Sequence, residues 1–249
     1  MISTGIHSKP HVLRRVFVWQ LPVRYYHWLN AICILALIGT GFIIGDPPAL
    51  LSGKEAYSHY WFGITRFIHF VASYIFLVNF ALRIYWGFAG NHFASWKNFI
   101  PTNVKFFKDM WRVILIDIFM TKNEKEPTIG HNRLAGFIYF LTFIAFGIQC
   151  LTGFGLYAAM SNGWFPNLFN WVPVLFGGDF MLRQIHHWTM WFFILFTVVH
   201  VYLVFYHDYV EGRGELSSMG GGWKFIEEEQ FKNLEEMEKS RKEKNEGSR

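Results

Sequence analysis

The sequence predicts an all-α membrane protein in which four membrane-spanning helices form a bundle. Hydrophobic residues make up 52% of the chain and charged residues only 16%, whereas about 25% is usual in soluble proteins. The apolar residues are concentrated in four segments, each near or above the roughly 20 residues that cross a hydrocarbon core of about 30 Å. Because open strand edges are not tolerated inside a membrane, all four segments are predicted to be helices.

The predicted spans divide the chain into three parts. The spans cover about residues 26–45, 61–88, 134–157 and 185–207. The parts are an N-terminal segment over 1–25, a four-helix membrane domain over 26–209 and a polar tail over 210–249. From about Gly220 the tail alternates Lys with Glu, so we expect a solvated helix or a disordered segment there.

Basic residues predict how the bundle is oriented. Lys and Arg are concentrated in the N-terminal segment and in the loop 89–133, which holds seven, whereas the loops 46–60 and 158–184 hold one each. The positive-inside rule therefore places both termini and the middle loop in the cytoplasm. Within that loop, residues 107–120 combine helical spacing with mixed polarity, which predicts an amphipathic helix on the cytoplasmic surface. The net charge of +5 lies mostly beside the spans, so nucleic acid is not an expected partner.

Four histidines inside the predicted spans are the candidate functional residues. His27 lies in the first span, His69 in the second, and His186 and His200 lie 14 residues apart in the fourth. At about 100° and 1.5 Å per residue, this spacing puts the last two on nearly the same helix face, about 21 Å apart. An ionisable residue in a span is costly and indicates function by default, although hydrogen bonding to a neighbouring helix is the alternative.

The topology predicts how these histidines pair. His69 and His186 lie toward the outer side, and His27 and His200 lie toward the cytoplasm. Two histidines per site suit a haem with both axial positions filled, hence electron transfer, whereas zinc requires four ligands. The chain has no Cys-x-x-Cys-His motif, which excludes covalent haem attachment. His187 is the alternative to His186, but it points about 140° away from His200.

Glycines and arginines near the histidines each have two interpretations. Arg66, three residues before His69, pairs with a haem propionate or reaches lipid headgroups, and Arg83 is interpreted as a membrane anchor. Five glycines in the first and third spans make room for a flat macrocycle or permit close helix packing. They are Gly39, Gly41, Gly147, Gly153 and Gly155.

Two segments resemble the signatures of the nickel–iron hydrogenase b-type cytochrome subunits. The first is Arg24-Tyr25-Tyr26-His27-Trp28 followed by Gly39-Thr40-Gly41. The second is Arg183-Gln184-Ile185-His186-His187 followed by Trp191, Phe196 and His200. The stretch Ile129-Gly130-His131-Asn132 is also similar, and the resemblance covers about residues 16–225.

The resemblance implies a multi-pass protein of the bacterial inner (cytoplasmic) membrane that anchors an outward-facing hydrogenase small and large subunit. It implies two b-type haems, with His69 and His186 on the outer iron and His27 and His200 on the inner one. Electrons from the small-subunit iron–sulfur clusters would reduce menaquinone or ubiquinone, so the chain would be an electron-transfer subunit without a nickel–iron site.

The quinone is expected near the inner haem. His131 and Asn132 lie at the right depth to hydrogen-bond a quinone carbonyl, although they are also placed to cap a helix. Two other functions remain open. One is a cytochrome b subunit of formate dehydrogenase or another outer-facing dehydrogenase, whose membrane subunit has the same four-histidine plan. The other is a non-redox transporter that uses the histidines as a proton relay.

Overall fold

The structure is a computed structural model. It describes residues 13–48, 60–101, 104–117, 133–211 and 214–228, and a few positions between 231 and 239. Most of these residues are helical. In chain order the elements are β1 (Leu13–Phe17), α1 (Leu21–Gly45), α2 (Trp61–Ala89), α3 (Val104–Asp117), α4 (Arg133–Ala158), α5 (Trp164–Asn167), α6 (Val172–Leu175), α7 (Asp179–Glu211), α8 (Glu215–Gly221) and β2 (Trp223–Glu227).

Helices α1, α2, α4 and α7 are each long and apolar enough to cross a membrane, with mean hydropathies between 1.7 and 2.0. This confirms the predicted four-span fold class. α1 packs mainly along α2, and α4 packs mainly along α7. Helix α7 has 33 residues and so measures about 50 Å at 1.5 Å per residue, longer than the hydrocarbon core. His186 and His200 therefore both lie inside the helix, away from its ends.

The predicted amphipathic helix corresponds to α3, which lies between the second and third spans. It begins at Val104, three residues before the predicted start, and packs against α4. The last three predicted residues, 118–120, fall outside the described part of the chain. After α4, the short helices α5 and α6 also pack on α4 and lead into α7.

The segment before the first span and the segment after the last span pair in a small two-stranded sheet, which was not predicted from the sequence. β1 and β2 pair antiparallel, from Leu13 opposite Glu227 to Phe17 opposite Trp223. The expectation of a solvated helix or a disordered tail was therefore wrong for Trp223–Glu227. Gly222 has a φ of 87°, and a Cβ there would lie 2.7 Å from a backbone oxygen, so this turn requires glycine. The pairing brings both ends of the domain to the same end of the bundle, as an even number of spans requires.

The sheet forms the centre of a small packed unit at the end of the bundle where the chain enters α1 and leaves α7. Val16, Val18, Trp19 and Ile226 are buried in one apolar cluster together with residues of the segment after α2. Helix α8 lies between α7 and β2, and the amide of Glu215 at its start donates to Asp208 Oδ1 at 2.6 Å. We refer to β1, residues 18–20, α8 and β2 as the cap.

Arg83 is not a membrane anchor, and that interpretation was wrong. Its side chain is buried at 5% exposure, whereas an anchor reaches the headgroups. Nη2 donates to the carbonyl of Ala94 at 3.2 Å, which ties the segment after α2 to that helix. The guanidinium carbon lies 5.3 to 5.9 Å from four ring centroids, at cation–π distance. The four rings belong to Tyr26, Trp96, Phe99 and Phe143.

An aromatic layer fills the middle of the bundle. Cys33, Phe76, Ala145, Phe146 and Phe193 form a buried cluster contributed by all four long helices. The rings of Phe146 and Phe193 are stacked, with centroids 5.0 Å apart. Because Phe193 is midway between His186 and His200 along α7, this layer separates the outer from the inner histidines.

Two histidine pairs in the membrane bundle

The inner pair brings together the first and last spans. The ring centroids of His27 on α1 and His200 on α7 are 6.2 Å apart, with an interplanar angle of 57°. Two imidazoles on opposite sides of one metal have centroids about 6 Å apart, since each metal–nitrogen bond is about 2 Å and each ring nitrogen is about 1 Å from its ring centre. The observed separation matches this arrangement.

Aromatic rings hold the inner pair in place. Phe196, one turn before His200, stacks on it with centroids 5.5 Å apart and planes 10° from parallel. Trp28 meets His27 edge to face at 5.1 Å, and its Nε1 donates to the carbonyl of Met219 in the cap at 3.0 Å. His27 Nδ1 is buried and has no hydrogen-bond partner among the described residues. The inner histidines are thus oriented by packing, and the cap reaches this site through Trp28, the neighbour of His27.

The outer histidine of α2 is held by a hydrogen bond to α1. Thr40 Oγ1 lies 2.8 Å from His69 Nδ1 and 2.6 Å from the carbonyl oxygen of Ala36, one turn earlier. A hydroxyl has one proton, and the carbonyl can only accept it. His69 Nδ1–H must therefore be the donor to Thr40, which leaves His69 Nε2 with a free lone pair.

The outer histidine of α7 has the same arrangement toward α4. Thr152 Oγ1 lies 2.9 Å from His186 Nδ1 and 2.7 Å from the carbonyl oxygen of Ile148. By the same count of protons, His186 Nδ1–H donates and Nε2 keeps its lone pair. Gln149 Nε2 lies 3.1 Å from His186 Nε2 and donates to that lone pair, while Gln149 Oε1 is buried without a partner among the described residues.

The outer histidines converge on one region between the helices. A Cβ placed on Gly41 would lie 3.7 Å from His69 Cε1 and 3.6 Å from the sulfur of Met190. Met190 is one helical turn after His186, so Gly41 lies beside both His69 and the part of α7 that carries His186. The structure therefore brings His69 and His186 to the same level of the bundle.

His187 points in a different direction from His186. A Cβ on Gly45 at the end of α1 would lie 3.2 Å from His187 Cε1. Together with Gln184, Trp188 and Trp191, His187 lines an open pocket of about 420 Å³. Its contacts are thus with α1 and the bundle surface, and they favour His186 as the partner of His69.

The five span glycines divide into three groups. Gly41 and Gly153 lie against histidine rings, since a Cβ on Gly153 would be 3.1 Å from His186 Cε1. Gly155 serves helix packing, because a Cβ there would be 2.9 Å from Val172. Gly39 and Gly147 have space beside them, with no described atom within 4 Å of the position that a Cβ would take. Only the first group combines a small residue with a candidate ligand.

These residues fit two bis-histidine haems. Each pair brings together two imidazoles, His69 Nε2 keeps its lone pair, and Gly41 and Gly153 lie beside the outer rings. Haem binding at the outer site requires Gln149 to release His186 Nε2, after which its amide must turn aside. Within the described ranges, no three His, Cys, Asp or Glu side chains form a metal-binding group, which argues against a zinc-type site.

Two further sequence expectations have different outcomes. His131 and Asn132, the candidate quinone ligands, lie outside the described residues. Arg66 lies with its guanidinium 5.8 Å from the Phe70 ring and its Nη2 3.1 Å from the sulfur of Met160. Its proposed pairing with a propionate therefore stays a prediction.

Sequence reasoning missed the hydroxyl and amide partners of the outer histidines. Threonine is common in spans, where it bonds its own helix, so neither Thr40 nor Thr152 was conspicuous alone. A signal was present nevertheless, because a Thr-Gly dipeptide occurs toward the outer end of both α1 and α4.

Comparison with known proteins identifies relatives over most of the chain. The model of a family described as prokaryotic cytochrome b561 matches residues 18–222. A protein of Azotobacter vinelandii named "Probable Ni/Fe-hydrogenase B-type cytochrome subunit" is 36% identical over 218 residues, which are 86% of this chain and 90% of the relative. A protein of the same name from Cupriavidus necator is 35% identical over 219 residues, covering 85% and 88%. The "Probable Ni/Fe-hydrogenase 1 B-type cytochrome subunit" of Escherichia coli K12 is 33% identical over 215 residues, covering 84% and 90%.

Proposed function

The chain belongs to the prokaryotic cytochrome b561 family, and from this membership and its histidine geometry we propose that it is the membrane subunit of a respiratory Ni/Fe hydrogenase. In this role it anchors the hydrogenase subunits to the bacterial inner membrane and carries electrons from them to quinone. The observation that supports the proposal most strongly is the 6.2 Å separation of the His27 and His200 rings, which matches two axial ligands of one iron.

We assign the two pairs as axial ligands of two b-type haems. His69 and His186 would hold the outer haem, and His27 and His200 would hold the inner one. A bis-histidine haem supplies a one-electron couple without an open coordination position for substrate. Thr40 and Thr152 orient the outer rings, and the buried layer around Phe146 and Phe193 fills the bundle between the two sites.

The separation of the pairs supports electron passage across the membrane. His186 and His200 lie on one continuous helix, 14 residues or about 21 Å apart. This is most of the thickness of a hydrocarbon core of about 30 Å. One pair therefore lies near each face, the outer one on the side expected to face the hydrogenase.

The donor and acceptor follow from the relatives and from the inner pair. The relatives are named as hydrogenase cytochrome subunits, which supports a hydrogenase small subunit as the donor. The acceptor is menaquinone or ubiquinone bound near the inner haem, and His131 and Asn132 remain its candidate ligands. A formate dehydrogenase cytochrome is the second candidate, since it would use the same haem-binding plan.

The proposal is tested on the complex purified from membranes in mild detergent. Hydrogen is expected to reduce b-type haem, seen as growth of the visible α-band, and a short-chain quinone is expected to reoxidise it. His186→Ala should lose the outer haem, whereas the neighbouring His187→Ala variant should keep it. Reduction by formate but not hydrogen would favour the second candidate, and a colourless protein would indicate the non-redox transporter and overturn both.

A further inference from the structure

The two outer histidines are supported by matching dipeptides on the neighbouring helices. Thr40-Gly41 on α1 contacts His69 on α2, and Thr152-Gly153 on α4 contacts His186 on α7. In each case the threonine hydroxyl bonds Nδ1 and the following glycine faces Cε1. We call each Thr-Gly dipeptide a histidine cradle.

The cradle fixes both the tautomer and the position of the ring. Each hydroxyl gives its proton to a carbonyl one turn earlier, at 2.6 Å for Thr40 and 2.7 Å for Thr152. The oxygen can then only accept, so the imidazole proton is held on Nδ1 and Nε2 keeps the lone pair that would bind iron. The glycine allows the ring to approach the helix backbone, which a side chain at Gly153 would prevent because its Cβ would be 3.1 Å away.

The inner pair lacks this arrangement in the described part of the chain. His27 Nδ1 is buried with no hydrogen-bond partner there, and His200 packs against the aromatic rings of His27 and Phe196. The two sites therefore share their ligand type and differ in what each ligand's second nitrogen contacts.

We propose that Thr40 and Thr152 are positioning residues that hold both outer ligands in the Nδ1–H form and set the outer haem at a lower midpoint potential than the inner haem. The inference rests on the proposed haem assignment. A hydrogen bond from Nδ1–H to an acceptor makes the imidazole a stronger base toward the metal. A stronger donor stabilises the ferric over the ferrous state, which lowers the potential.

The consequence concerns the direction of electron passage. A one-electron carrier of lower potential on the outer side and one of higher potential on the inner side make transfer inward energetically favourable. The difference arises from two hydroxyl groups and needs no difference in axial ligands. The two cradles thus make the outer and inner haem sites of the bundle different in midpoint potential.

The test is a potentiometric titration of the complex followed in the visible spectrum. Thr40→Val and Thr152→Val keep the side-chain shape and remove the hydroxyl, so each is expected to raise the midpoint potential of one haem and leave the other unchanged. Thr40→Ser and Thr152→Ser restore the acceptor and should return the potential toward the wild-type value. His200→Ala, which retains only the outer site, identifies the haem that shifts.

Thr142→Val provides a matched control. Thr142 is on the same helix as Thr152, is buried at 3% exposure and bonds the carbonyl one turn earlier at 2.8 Å, but it has no hydrogen bond to a histidine of the described segments. It should shift neither potential. A valine variant that keeps both haems at wild-type potentials, or a serine variant that shifts as far as its valine counterpart, would overturn the inference.

Loss of haem in the valine variants is also informative. If the valine variants lose only the outer haem and the serine variants recover it, the result supports the role of the cradles. If Thr152→Val and the control Thr142→Val both lose the outer and the inner haem to the same extent, the inference is overturned. Nitrogen-15 NMR of labelled histidine in haem-free protein reports the tautomer directly, and two Nδ1–H outer rings are expected. If the wild-type complex contains no b-type haem, the proposed function fails first, and that outcome is distinct from an unshifted potential.

Discussion

Replacing Gly153 by alanine should weaken haem binding at the outer site while leaving the fold almost unchanged. The new Cβ would lie 3.1 Å from His186 Cε1, whereas carbon atoms in ordinary contact are about 3.5 to 4.0 Å apart. The imidazole must therefore move away from α4 by about 0.4 Å or more. Thr152, the hydrogen-bond partner of that ring, is on the helix from which the ring retreats.

The expected magnitudes follow from this displacement. The Thr152–His186 distance of 2.9 Å would grow to about 3.3 Å, beyond the usual limit of about 3.2 Å. Losing the bond costs about 0.5 to 1.5 kcal/mol, and alanine in place of helical glycine returns about 0.5 to 1 kcal/mol. The free energy of unfolding thus changes by less than about 1 kcal/mol. Haem affinity should fall about 10- to 100-fold, as is usual when a ligand loses its supporting contact.

The assay is a haemin titration of haem-free protein in detergent, followed at the Soret band in a His200→Ala background that isolates the outer site. Gly147→Ala is the control, because it lies on the same helix with no described atom within 4 Å of the added methyl group. It should bind haem as the parent does. Wild-type affinity in Gly153→Ala would refute the reasoning, since the ring of an axial ligand cannot be displaced without consequence.

The remaining predictions concern the inner site and the cap. His200→Ala in the intact complex should halve the haem per chain measured by pyridine haemochrome, because the outer pair is unaffected. The ammonium of Lys224 lies 2.6 Å from the carboxylate of Glu215, and the Lys224 side chain is only 4% exposed. Glu215→Ala would leave this buried charge without its partner, so it should destabilise the cap by about 3 to 5 kcal/mol in thermal unfolding. Arg14 bonds Glu228 and holds the pKa of that carboxyl below its usual range. The ion pair therefore stabilises the sheet at pH values above the ordinary glutamate pKa of about 4.3. This stabilisation is lost as the pH falls through the lower pKa of the folded state. Hydrogen exchange of the Leu13–Phe17 amides should report the loss.

Each of these predictions has a control and a contradicting result. His187→Ala should retain both haems. An equal loss of haem in His187→Ala and His200→Ala would contradict the proposed pairing of the histidines. Lys224→Met should cost less than Glu215→Ala, because Glu215 is 30% exposed and can be solvated when unpaired. Glu228→Gln should abolish the acid-dependent part of the exchange, and an unchanged pH profile in this variant would exclude the ion pair as its origin.

The sequence predicted the bundle and the inner pair because both follow from helical periodicity. Long apolar runs must be helices in a membrane, and the 14-residue interval in α7 sets the depths of His186 and His200. Pairing across helices then needed only the direction of each span. The close approach of His27 to His200 was predictable in this way, since ligands of one metal must share a depth.

The parts that were missed depend on contacts between distant segments. β1 and β2 have five residues each and more than 200 residues between them, so local pattern gives no indication that they pair. Arg83 was misinterpreted because an arginine near a span end usually reaches headgroups, and the ring cage that encloses it comes from three separate segments. The threonine partners were missed because a span threonine normally bonds only its own helix.

The strand pair also has a consequence for how the protein is made. β1 is synthesised before the first span, and β2 only after the last, so the ribosome must finish all four spans before β1 can find its partner. Until then Val16, Val18 and Trp19 are apolar groups without their final contacts. Closure of the sheet therefore requires that all four spans have been synthesised, and a chain that stops short of Trp223 would leave β1 without its partner strand.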